Sequence, residues 1–359
     1  MMRLAMLSLA LLALTCSACK DGELTTDCTS AAEIEQVLTQ FAANAERHTA
    51  SFVTSAEDLS ARASAFAAAP DIDRLRRLRA SLERARNDWQ YAAPYSTLSD
   101  GTGLAGLRIN PYPVDTNLVL AYLSDQTFDA ASEPSFERGL GAIEYLLGNS
   151  QNDAQVLDRL TATPTTIDLL EAYANAILAD AQSVRDNWVA SSDEFVQRSG
   201  TAAGSGVSVI INAASKHLED LRRDKVGTPL GVATLGLPNP QTVESPYAQL
   251  SLAYLLSSVE ASRDLLTASQ EGSSVLAYLR GIDNAEARSL ADDIESQYEV
   301  ILAAINAVQV PLIDAVSEDA QAVELVYSTL SRQVVHLKTD LPSVTCVAIT
   351  YVDNPSDSD

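Results

Sequence analysis

The stretch "DRLRRLRASLERARNDW" (Asp73–Trp89) sets the fold. Leu75, Leu78 and Leu82 fall three and four residues apart, so they share one face of a helix and could not share one face of a strand. The remaining positions are mostly Arg, Glu, Asp and Asn, a charged outer surface. A helix over about 72–91 follows. Upstream, Pro70 breaks the pattern and Asp71 reads as the N-cap of the restart. Before the break, Ile34, Val37, Leu38, Phe41 and Ala42 repeat the same one-sided spacing, giving a long helix from Ala31 to about Ala67.

Downstream, "APYSTLSDGTGLAGLRINPYPVD" (93–115) is rich in Gly, Pro and Asn and reads as irregular. Helical patterns follow at about 116–123, 136–147, 153–161 and 166–195. The segment "RSGTAAGSG" (198–206) is the clearest linker. After it the plan repeats: a helix at about 207–224, a second irregular stretch at 226–244, and helices at about 246–269, 274–281, 285–309 and 312–338. The expectation is an all-α, two-lobed duplicated helical bundle, with lobes at 31–197 and 207–340. Each lobe is interrupted by a long ordered Gly/Pro loop, because loops of more than about 12–15 residues inside a compact domain are usually functional or disordered and both of these carry apolar residues. The tail, 341–359, holds a short extended segment "VTCVAITYV" and a disordered acidic end.

Composition agrees with close-packed helices, with 47% hydrophobic residues but only 6% aromatic. A formal charge of −24 excludes a nucleic-acid partner, which needs a basic face. At the N-terminus, Arg3 precedes an apolar run from Leu4 to Leu14 and then "TCSAC". That run is shorter than the roughly 20 residues of a membrane span and has the parts of a signal peptide over 1–18. Ser17 and Ala18 before Cys19 make Cys19 the lipid acceptor, with Cys16 the runner-up, and 19–30 becomes an anchored tether. The expected address is the cell envelope. Lys20, in place of an aspartate after the cysteine, favours the periplasmic face of the outer membrane. In an oxidising compartment the remaining pair, Cys28 and Cys346, suggests a disulfide, with two free buried thiols as the alternative.

Four motifs in order now acquire a meaning: "RINPYPVD" (Arg108–Asp115), "GLGAIEYLL" (Gly139–Leu147), "TPLG" (Thr228–Gly231) and "VESPYAQLS" (Val243–Ser251). Together they resemble the imelysin family of bacterial envelope proteins over about 31–340. The resemblance implies a helical fold with internal duplication, secretion or lipid anchoring, a link to iron acquisition through an envelope partner, and a family first described as peptidases. The family signature Gly-x-His-x-x-Glu is met here by Gly139 and Glu144, with Gly141 in the histidine's place. His and Glu at i and i+3 share a helix face and can share a metal ion. One carboxylate without the imidazole cannot make a zinc site, which normally has three protein ligands.

No other histidine substitutes from the sequence. His48, His217 and His336 sit in polar helical surroundings and read as surface residues, including the His217/Asp220 pair. No HExxH, CxxC or nucleophile elbow occurs, and "GTGLAG" (101–106) follows no strand. The candidate ligand-binding set is Glu144 with Arg108, Asp115, Glu244, Ser245, Tyr247 and Ser251. Ser245 is also expected to cap a helix that starts at Pro246. The glycines have two readings, close approach of a neighbouring helix or a vacant ligand pocket. The pocket reading requires Gly141→His to gain divalent-metal affinity through Glu144.

The sequence points to a lipid-anchored protein that binds a ligand or partner between its lobes, in iron uptake by resemblance, and is not catalytic. No cofactor is firm, with iron or another divalent metal as the candidate. The alternatives are a metallopeptidase of the imelysin type and a structural or adaptor lipoprotein.

Overall fold

The computed structural model describes residues 31–99, 104–125, 138–148, 152–200, 202, 204–234, 236–267, 273–345 and 347. The expected signal peptide and tether, the cysteines Cys16, Cys19, Cys28 and Cys346, and the acidic end lie outside the described residues. No disulfide occurs among the described residues, and none of these contains a cysteine.

The first half is α1 (Ala31–Ala68), α2 (Ile72–Ser99), α3 (Leu104–Ile109), α4 (Thr116–Asp125), α5 (Gly139–Leu147), α6 (Asp153–Ala162) and α7 (Pro164–Val196). The second half begins with α8 (Gly206–Asp220), which runs into a π-helical turn, Leu221–Gly227, and then α9 (Thr228–Leu230). It continues through α10 (Ser251–Thr267), α11 (Val275–Gly281), α12 (Ala285–Ala307), α13 (Leu312–Glu318) and α14 (Ala320–Val335). A second π-helical turn, His336–Asp340, leads to α15 (Leu341–Thr345). No strand occurs among the described residues. No single described helix is long and apolar enough to cross a membrane.

The long helices α1, α2 and α7 pack on one another. On α1 the residues Leu38, Phe41, Ala45, Phe52, Ala56, Leu59, Ala63 and Phe66 are all buried, the stripe its spacing requires. Alanines within that stripe let α7 approach closely. One hydrophobic cluster then continues from the first half into α8, α10, α12 and α14, and α2 crosses the boundary by packing on both α8 and α10.

Several boundaries differ from the sequence expectation. Helix α2 runs through Pro94 to Ser99, so the first irregular stretch is shorter than 93–115. Tertiary packing overrides the local signal there: Tyr95 is buried, lies 5.2 Å from the Phe41 ring and accepts Trp188 Nε1–H through its carbonyl at 2.9 Å. The single expected helix over 312–338 is divided at Asp319, and helical backbone then extends to Thr345, where an extended tail was expected. Asp71 does cap α2, accepting the Arg74 N–H at 2.7 Å.

Candidate functional site

Helix α5 sends Ile143, Leu146 and Leu147 into the core, and Glu144 is buried with them at 4% exposure. It is therefore not part of the solvent-facing side of the helix. A buried carboxylate needs compensation for both oxygens, and each oxygen here has two donors. Oε2 receives the Arg86 guanidinium and the Ser245 hydroxyl, the latter at 2.9 Å. Oε1 accepts the backbone N–H groups of Tyr247 at 3.0 Å and Ala248 at 2.9 Å. Those N–H groups belong to a tight turn over 245–250, closed by Gln249 N–H to the Ser245 carbonyl at 3.1 Å. Gln249 has φ of 60°, the one positive φ on a non-glycine among the described residues. Ser251 supports the turn by accepting the Ser245 N–H at 2.9 Å.

Arg86 is 1% exposed and sits between two acids. Besides Glu144 it donates Nη2–H to the Glu244 carbonyl at 2.8 Å, and Nη2 lies 3.8 Å from Glu244 Oε1. The same Oε1 receives Asn110 at 2.9 Å, Gln90 at 3.3 Å and Lys225 at 3.2 Å. Burial alone would raise the Glu244 pKa, but the Lys225 and Arg86 charges and the Asn110 hydrogen bond hold it down at about 2. Two cations, Arg86 and Lys225, thus face two carboxylates, Glu144 and Glu244, and the buried set is electrically balanced. Members from α2, α5, the 110–115 loop, the π-helical turn and the 243–251 segment meet here, so the set clasps the two halves together.

The expected residues divide accordingly. Glu144, Glu244, Ser245, Ser251 and the backbone of Tyr247 do come together. Arg108 is elsewhere, its guanidinium on Asp180 at 2.5 Å with Arg138 3.5 Å from the same carboxylate. Asp115 caps α4, accepting the N–H groups of Asn117 at 2.9 Å and Leu118 at 3.2 Å. Ser245 is not a helix cap: 246–250 form the turn, α10 starts at Ser251, and the hydroxyl is spent on Glu144. Tyr112 ties the first motif to the chain just before the fourth: its hydroxyl donates to the Thr242 carbonyl and, at 2.9 Å, lies against the Asp224 carbonyl of the π-helical turn.

The two glycines of α5 have different reasons. Gly139 has φ of +83°, and a Cβ there would stand 2.5 Å from the Ile109 carbonyl oxygen and 2.6 Å from Pro111. It is the close approach, made to the "RINPYPVD" loop. Gly141 meets only Val114, whose Cγ2 would lie 3.2 Å from an added Cβ.

The sequence profile of the imelysin family matches residues 45–340. The chain belongs to the imelysin family. Among solved structures, the chain is similar to a putative iron-regulated protein A precursor from Parabacteroides distasonis, with a TM-score of 0.73 at 16% identity over 88% of this chain and 96% of that one. It is similar also to an imelysin-like protein from Psychrobacter arcticum, with a TM-score of 0.69 at 16% identity over 90% and 98% of the two chains. No curated protein matches.

A metal ion does not fit at Glu144. Four donors take up the four lone-pair directions of its carboxylate, and one of them is a buried guanidinium that a cation would have to displace. No group of three or more His, Cys, Asp or Glu suited to a metal occurs among the described residues. Gly141→His is therefore expected to gain no divalent-metal affinity by calorimetry and to lose about 1–3 kcal/mol, since Val114 must yield to the new Cβ and the ring beyond it must also be packed. Tight metal binding that a further Glu144→Ala change abolishes would restore the vacant-pocket reading.

Two histidines are not the surface residues expected from their flanks. His48 stacks on Tyr91 at 5.5 Å, and His217 contacts the Ser258 carbonyl of α10 at 3.1 Å rather than Asp220. Asp220 instead pairs with Lys216 and Arg223 at 3.0 Å each. Burial, aided by Arg47 at His48 and by Lys216 and Lys225 at His217, lowers both pKa values to about 4. His336 pairs with Asp340 at 3.0 Å on a half-exposed helix face.

A pH dependence follows. The folded imidazoles stay neutral while the unfolded chain protonates near 6.5, so their contribution is intact above about pH 6.5 and is lost as the pH falls toward 4. Glu244 acts lower, its stabilisation present above about 4.5 and lost as the pH falls toward 2. Thermal midpoints from pH 8 to pH 3 should start to fall below about 6.5. A His48→Gln/His217→Gln pair should flatten the upper part of that fall. An unchanged slope in the double variant would contradict this assignment.

Proposed function

We propose that this family member is a lipid-anchored envelope protein that binds a ligand or partner beside the Glu144 turn and does not hydrolyse peptides. The observation that carries this reading is the commitment of both Glu144 oxygens to Arg86, Ser245 and two backbone N–H groups. A carboxylate so held serves as a brace and is not available as a general base. The turn it braces forms one wall of a cavity of about 490 Å³, lined also by Arg79 and Glu83 of α2 and by Tyr247 and Tyr254. The left-handed Gln249 lies in that wall. Backbone held in such a conformation persists where the surroundings over-determine it, often at ligand clamps.

One structural neighbour is described as iron-regulated, and an iron-linked binding role is the biological setting proposed here. Anchoring would be through Cys19. The test is complementation of a deletion strain under iron limitation. Wild type should restore growth, and Tyr247→Arg, which fills the cavity, should not, although it reaches the envelope folded. Cys19→Ser should appear in the soluble envelope fraction, whereas Cys16→Ser should stay with the membrane. Chelator-sensitive peptide hydrolysis by the purified protein, abolished in a folded Glu144→Gln variant, would overturn the reading in favour of a peptidase.

A further inference from the structure

A second cavity, of about 350 Å³, opens on the other side of the buried charge set, between α2, the α3 region and α8 with its π-helical turn. Its volume falls within the usual range for small-molecule sites, about 300–1,000 Å³. Trp89, Pro94, Leu107 and Ala213 supply apolar wall. The polar side is held in place. Lys225 lies on Glu244 at 3.2 Å and over the Tyr112 ring at 4.0 Å, while Arg223 bridges Asp220 at 3.0 Å and Asp224 at 2.9 Å. Lys216 pairs with Asp220 at 3.0 Å. Cations and acids balance when Glu244 and the Arg86–Glu144 pair are included, so the lining favours neither an anion nor a cation.

One lining group offers an acceptor that no described protein group occupies. The Ser258 carbonyl can only accept, so the 3.1 Å contact places the His217 proton on Nε2. Nδ1 is left as an acceptor with no hydrogen-bond partner among the described residues. The imidazole is neutral near pH 7, because burial and the lysines Lys216 and Lys225 hold its pKa near 4. The π-helical turn Leu221–Gly227 brings Asp224 and Lys225 to the wall, and such turns recur at functional sites because they cost helix stability.

We propose that this cavity is a binding site for a small uncharged aromatic molecule that donates one hydrogen bond to His217 Nδ1 and lays its ring against Trp89 and Pro94. It is separate from the cavity beside the Glu144 turn and does not depend on the role proposed for that one.

The probe is indole, titrated into the full mature protein by calorimetry, with 1-methylindole as the matched ring lacking the donor and indole-3-acetate as the matched anion. Indole should bind once per chain, and 1-methylindole and indole-3-acetate should each bind at least tenfold more weakly. In His217→Leu, indole and 1-methylindole should become equal. Ala93→Phe, which pushes a ring into the cavity from α2 without touching the polar wall, should abolish binding, and this variant decides the matter if His217→Leu fails to fold. No saturable binding of indole, equal affinity of indole and 1-methylindole for wild type, or unchanged binding in a folded Ala93→Phe protein would each overturn the proposal.

Discussion

Arg86→Met should lower the thermal midpoint by roughly 10 °C, a loss of about 3–5 kcal/mol. The side chain is 1% exposed, and its guanidinium is the charge that Glu144 and Glu244 share. Removing it leaves two buried carboxylates facing one lysine, and an uncompensated buried charge costs far more than the pair itself contributes. The methionine keeps most of the volume, so a cavity is not the cause. Arg86→Lys should recover only part of the loss, because an ammonium cannot span Glu144 and the Glu244 carbonyl as the guanidinium fork does. The diagnostic variant is Arg86→Met/Glu144→Gln, which neutralises one orphaned acid. Its destabilisation should be smaller than the sum of the two single changes, the coupling expected for groups in contact. Additive losses would mean that Arg86 acts by packing on Tyr254, 5.0 Å from its ring centre, and not by charge.

Arg86 also shows where the sequence stops being legible. Its stretch announces a helix because Leu75, Leu78 and Leu82 mark the inner face, and the all-α class follows from that periodicity repeated along the chain. Arg86 lies four residues beyond Leu82 on the same face, yet among six arginines between 73 and 89 it looks like surface. The face assignment was the available signal, since an arginine on a buried stripe requires acids to meet it. Glu144 and Glu244 were both legible as motif positions, but their common partner was not, because 58 and 158 residues separate Arg86 from its acceptors. Arg108 and Asp115 failed for the opposite reason. They lie in a motif that reaches the site through Asn110 and Tyr112, while their own side chains serve Asp180 and the start of α4. His217 was hidden by charged neighbours in sequence that, in the fold, flank a cavity. Local composition describes the surroundings along a chain. It does not describe what α10 brings across from Ser258.

The second large effect concerns the two glycines, which should respond in opposite ways. Gly139→Ala is expected to destabilise the protein by about 3 kcal/mol. A left-handed backbone costs an L-residue roughly 1–2 kcal/mol, and the new methyl would stand 2.5 Å from the Ile109 carbonyl oxygen, a backbone atom that cannot swing aside. The start of α5 would have to move off the 109–111 segment, carrying Glu144 away from Arg86 and the Ser245 turn. Gly141→Ala should be nearly neutral. Its backbone is ordinary helix, the helix gains about 1 kcal/mol from alanine over glycine, and only the Val114 methyl group, 3.2 Å from the added carbon, must give way. Denaturant unfolding of the two variants separates the positions, and the Gly139→Ala midpoint should fall well below a near-native Gly141→Ala. A reversed order would place the close contact at Gly141, against Val114, and would leave the 109–111 segment free to yield at Gly139.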